Sequence, residues 1–171
     1  MNNNYILVKI KHAMDLNNKD MVDIFRLGGI AISEEEVQNL LIGERESISN
    51  ECDKHYEDEI EEITKCKNIT LESFLNGFII FKRGEKETKT GQPEILSING
   101  NKNINNIMLK KLKIALSLSS QDMLDIFEDM GSSLTKGELT DIFRKEGHKH
   151  YKKCADEHAV NFLEGLSKRR V

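Results

Sequence analysis

The sequence predicts an all-α protein: two tandem copies of a roughly four-helix unit, packed together. Three observations carry that reading. The composition is rich in helix formers and poor in breakers, with a single proline among 171 residues. Apolar residues recur at helical spacing along most of the chain. Finally, the chain matches itself. With an offset of 102, residues 3–41 face residues 105–143, and 14 of those 39 pairs are identical, from Asn3/Asn105 to Glu36/Glu138. The match resumes at an offset of 88, where Cys66, Phe74, Leu75 and Gly77 face Cys154, Phe162, Leu163 and Gly165. The first copy therefore carries an insert after Leu41 that the second lacks, at about residues 42–65.

Helix one places Ile6, Ile10, Ala13 and Met14 on one face, mirrored by Met108, Leu112, Ala115 and Leu116. Helix two is expected to start with Asn18 or Ser120 as its N-cap and to bury Met21, Ile24 and Phe25, or Met123, Ile126 and Phe127. Ser33-x-x-Glu36 and Thr135-x-x-Glu138 read as capping boxes that open helix three. Helix four carries Phe74, Leu75, Phe78 and Phe81, or Phe162, Leu163 and Leu166, and Gly84 is its stop in the first copy. The domain reading is copy one over 1–84, a linker over 85–103 and copy two over 104–171. The linker contains Pro93 and a short apolar run at Ile95–Ile98. Each unit alone is small for an independent core, so the copies are expected to share one.

The stretches Ile104–Ala115 and Ser73-Phe74-Leu75-Asn76-Gly77, the latter closing on Lys82-Arg83-Gly84, resemble the YehS-like family of bacterial proteins of unknown function, the domain of unknown function 1456. That family is likewise a tandem duplication, and the resemblance covers nearly the whole chain. His148 and Cys154 sit where the family pattern has such residues; His150, His158 and the insert after Leu41 depart from it. The resemblance implies the architecture and no activity.

Composition bounds the function. No apolar run approaches the roughly 20 residues that span a bilayer, and no secretory signal is visible. Three cysteines without paired spacing fit a reducing compartment, so a cytoplasmic protein with no membrane partner is expected. The net charge of −4 hides an asymmetry. Residues 1–84 hold 10 Lys and Arg against 16 Asp and Glu, a net of −6, whereas residues 101–171 hold 13 against 10, a net of +3. Only the second half could attract an anion.

Three residue sets are candidate sites. His148-x-His150-x3-Cys154-x3-His158, on a continuous helix, would bring imidazole and thiolate to one face and could hold zinc. Its bland counterpart is a small buried hydrophobe at Cys154, repeating Cys66. Helix two, its glycine turn and helix three have the order of a helix-turn-helix, and Lys110, Lys111, Lys113 and the tail Lys168-Arg169-Arg170 could give a basic surface for nucleic acid. Glu34-Glu35-Glu36 at the start of helix three repels a phosphate backbone, and a solvated helix face is the bland alternative. The third set is Asn4/Asn106, Lys9/Lys111 and Lys11/Lys113, with Asn76 beside it. The default for Asn4 and Asn106 is an N-cap, for Lys9 a solubilising charge, and Asn76 within an apolar helix needs a partner.

Nucleotide-binding, nucleophile-elbow, zinc-protease and EF-hand motifs do not occur, and no cofactor is expected. The function that follows is a non-catalytic binding or adaptor role. A protein is expected to bind in the groove between the copies, with nucleic acid and metal as alternatives.

Overall fold

The computed structural model describes residues 2–42, 65–84 and 103–169. The charged stretch of the insert, Cys52, and the linker with Pro93 and Ile95–Ile98 lie outside these residues. Eight helices and no strand occur among the described residues. Copy one holds α1 (Asn3–Ala13), α2 (Asn18–Leu27), α3 (Glu34–Ile42) and α4 (Asn68–Arg83). Copy two holds α5 (Ile104–Ala115), α6 (Ser120–Asp129), α7 (Lys136–Ile142) and α8 (Asp156–Lys168).

Local chemistry sets the helix ends. Asn2, not Asn4, caps α1, accepting from the Tyr5 N–H at 2.8 Å. Helix two begins one residue earlier than the sequence suggests. Asn17 and Ser119 are the caps of α2 and α6, each in a reciprocal box with Asp20 or Asp122, and Asn18 and Ser120 are already helical. Ser33 and Thr135 accept from the N–H of Glu36 and Glu138, as expected. Gly84, at φ +84°, ends α4. The first two helices of each copy end in Schellman turns, in which the second N–H past the cap reaches back to the third-last helical carbonyl. In helix two the left-handed residue is Gly29 or Gly131. In helix one it is Asp15 (φ 54°) or Ser117 (φ 52°), with Leu16 N–H donating to Lys11 O and Leu118 N–H to Lys113 O, both at 3.0 Å.

The core is one cluster that both copies build. Ile6, Ile10 and Ala13, with Met108, Leu112 and Ala115, are buried as the helical spacing predicts. Phe25 and Phe127 are both fully buried at corresponding places, against Phe74 and Phe162 with ring centroids 5.1 and 5.5 Å apart. Phe81 is the exception on helix four: it lies at the end of α4 and is exposed, not core. Gly28 and Gly77 let α2 and α4 meet backbone to backbone; a Cβ at either would fall 1.8 Å from a carbonyl oxygen of the facing helix.

The copies interlock. Each helix one packs chiefly on helix four of the other copy, α1 on α8 and α5 on α4. An exchange of this kind makes two equivalent seams, and neither copy closes its apolar surface alone.

Candidate functional site

The asparagines that recur are held inside. Asn4 and Asn106 lie within the first turn of their helices, buried, and do not cap them. The Asn106 amide donates to Ile142 O and Lys152 O, each at 2.9 Å, and its Oδ1 accepts from the Cys154 N–H at 2.9 Å. Asn4 repeats this, donating to Leu40 O at 2.6 Å and accepting from Cys66 N–H at 3.1 Å. Beside them, Asn3 reaches Cys66 O and Asn68, and Asn105 reaches Cys154 O and Asp156. The Asn105 amide holds the Asp156 carboxyl below its ordinary pKa. Each pair ties helix one to the end of helix three and to the non-helical lead into helix four. Backbone groups at and beyond helix ends need partners from outside the helix. The amides bond to main-chain groups of neighbouring segments.

The lysines split between two seams. Lys9 binds Glu164 at 2.5 Å, and Tyr5 donates its hydroxyl to the same carboxylate at 3.0 Å. The Lys9 hydrogen bond, with help from Tyr5, lowers the Glu164 pKa. At the equivalent seam Lys111, which corresponds to Lys9, donates to Asn76, which corresponds to Glu164. Asn76 thereby gains the partner its amide needs. Burial pushes the Lys111 ammonium below its usual pKa, and the Glu72 carboxylate pulls it back up. Lys110 donates to Arg144 O at 3.2 Å, and the Lys113 ammonium lies over the Phe143 ring at 5.9 Å. The three lysines therefore do not share a surface: Lys111, only 4% exposed, is inside the molecule.

The histidine and cysteine set does not converge. Residues 151–155 are not helical, and α8 begins only at Asp156, so the shared helical face has no backbone to build it. His148 accepts from the His150 N–H at the surface, 3.0 Å away. His158 instead meets Phe127 edge-on. Cys154 and Cys66 are buried, and burial pushes both thiols up to about 12, where they are poor ligands and nucleophiles. No group of three His, Cys, Asp or Glu able to hold a metal occurs among the described residues. In the helix-turn-helix segment, Glu34, Glu35 and Glu36 stand exposed at the start of α3.

What the structure adds is an open cleft of about 630 Å³ where the two helix-one ends meet. Met14 and Asp15 of copy one face Leu116, Ser117 and Leu118 of copy two across it. Buried Ala13, Ile126 and Leu166 supply apolar surface, while Asp15, Ser117, Asp122 and Arg169 are exposed at its mouth. Both left-handed non-glycine residues of the described chain, Asp15 and Ser117, line it. Of the candidate residues chosen from the sequence, only Arg169 does, and none of the candidate asparagines, Lys9, Lys110, Lys111 or Lys113 does. Met14/Leu116 and Asp15/Ser117 differ between the copies, so matching identical pairs passes over them. The signal that could have found them is the missing glycine: helix two ends on Gly29 or Gly131 at the corresponding turn, and helix one does not.

No helix among the described residues is long and apolar enough to cross a membrane. No solved structure matches the chain. The chain is 34% identical to the uncharacterized protein YehS of Escherichia coli (strain K12) over 170 residues, covering 99% of this chain and 97% of that relative. A family model described as "Protein of unknown function (DUF1456)" matches residues 3–84 and 105–170, one segment per copy, with the same tandem arrangement. The chain belongs to the DUF1456 family.

Proposed function

We propose that this is a non-catalytic, cytoplasmic binding or adaptor protein that takes a segment of another protein in the cleft between its two copies. The observation that carries this is the cleft itself: about 630 Å³, open to solvent and lined by both apolar and polar side chains. Its two opposed turns place Asp15 and Ser117 in a backbone conformation that costs an L-residue about 1–2 kcal/mol relative to glycine. Strain of that kind, kept at two equivalent positions of one concave surface, supports a role for those side chains. Met14 and Leu116 add adaptable apolar contact. The recurring amides are occupied by main-chain groups of the fold.

Photo-crosslinking in the native cell tests this. A crosslinking side chain at the exposed Ser117 should give a discrete protein adduct, absent from the same group at exposed Glu35 on α3, and excess untagged wild-type chain should compete it away. No adduct from Ser117, or the same adducts from both positions, would overturn the proposal.

A further inference from the structure

We infer that the segment the cleft receives is basic: a stretch of partner protein that sets a Lys or Arg beside an apolar side chain. This rests on the cleft being the binding site and names the chemistry of its occupant. The apolar walls are matched by an acidic mouth. Asp15 stands on one side and Asp122 on the other. Among the described residues the lining cation is Arg169, which is held by Asp129 at 2.6 Å, and Asp125 and Asp122 lie close enough to stabilise its charge further. Three carboxylates thus surround one guanidinium, and Asp15 adds a fourth carboxylate to the cleft lining. The C-terminal ends of α1 and α5 both open on the same space, and each adds partial negative charge. The positive N-terminal end of α6 is offset by Asp122, which closes its capping box.

This acidity is not a by-product of composition. Residues 101–171 carry 13 Lys and Arg against 10 Asp and Glu, so Asp122, Asp125 and Asp129 form an acidic cluster within the basic half of the chain. It is also peculiar to copy two. The positions corresponding to Arg169, Asp129 and Leu166 in copy one are Phe81, Leu27 and Phe78, and Phe78 is fully buried. A cleft whose carboxylates outnumber its guanidinium favours a cationic partner and repels a phosphate backbone.

The test is fluorescence anisotropy of the full chain with three short labelled peptides: alternating Leu and Lys, Leu and Gln, or Leu and Glu. The Leu-Lys peptide should bind best, the Leu-Glu peptide should not bind, and added salt should weaken the first. Asp15→Asn with Asp125→Asn removes two charges while leaving the capping box of α6 intact, and asparagine tolerates the left-handed turn. That pair should weaken Leu-Lys binding about fivefold. Glu34→Gln with Glu35→Gln, an equal change of net charge away from the cleft, should leave it unchanged. Failure of the Leu-Lys peptide to bind, equal binding of the Leu-Gln peptide, or equal effects of the two variants overturns the inference. Leu-Gln binding that is equally tight and lost in Ser117→Trp would remove the basic preference and leave the cleft standing. No binding by any peptide, together with no crosslink from Ser117, would remove both.

Discussion

Asn106→Ala should be among the most damaging single changes of a polar residue in this protein. The side chain makes three hydrogen bonds of 2.9 Å, all to main-chain groups of other segments: Ile142 O, Lys152 O and Cys154 N–H. Asn106 is 2% exposed, so water does not readily replace the missing amide. A buried backbone group left without its partner costs about 1–3 kcal/mol. Taking the low end for carbonyls that can relax, the three together come to about 3–5 kcal/mol. That is a large part of the roughly 5–15 kcal/mol that holds a domain folded. For a chain of this length it corresponds to a fall in Tm of about 6–20 °C. Thermal and urea melts followed by far-ultraviolet circular dichroism measure it directly. Asn4→Ala, which breaks the matching bonds to Leu40 O and Cys66 N–H, should show a loss of the same kind. Asn18→Ala is the control, because Asn17 and not Asn18 caps α2. If Asn106→Ala melts within 2 °C of wild type, by the same scale of about 2–4 °C per kcal/mol, the clamp is not structural.

Other perturbations give separate checks. Phe25→Ala and Phe127→Ala should each cost about 3–5 kcal/mol in urea melts, since both rings are fully buried; unchanged melting for both would refute the shared core. Asp15→Gly and Ser117→Gly should each stabilise the fold, by up to about 1 kcal/mol, because glycine adopts the left-handed turn without strain. The same changes should reduce binding if those side chains face a partner, and a loss of stability would contradict the account of the turns. Glu164 gives a pH test. Its folded pKa lies below the ordinary 4.5, so its contribution is present above that value and is lost as pH falls through the depressed folded one. Glu164→Gln should therefore flatten the acid limb of stability against pH, and an identical limb would show that the Lys9 pair contributes nothing.

The elements whose determinants are local were legible. Helix one announces its apolar face, Ser33 and Thr135 announce helix three, Gly84 stops α4, and Phe25/Phe127 announce the core. Properties that depend on distant partners were not. Asn4 looks like an N-cap because an asparagine before an apolar run usually is one; its real partners are 36 and 62 positions away. Lys111 reads as a surface charge beside Lys110 and Lys113, and only its seam with α4 puts it inside, because helical period says nothing about which faces meet another copy. The histidine pattern required a helix through residues 150–158, and the chain is non-helical until Asp156. The groove between the copies was expected in outline, but its residues were not, because they lie at turns that differ between the copies.

The central claim is that the inter-copy cleft is where a basic protein segment binds. Amide chemical-shift mapping of the isotope-labelled chain, titrated with the Leu-Lys peptide, tests it most directly. The account predicts saturable shifts concentrated at Met14, Asp15, Leu116, Ser117, Leu118 and Asp122. Shifts centred instead on the exposed start of α3 or on the His148–Lys152 segment, or no shifts at all, would contradict it.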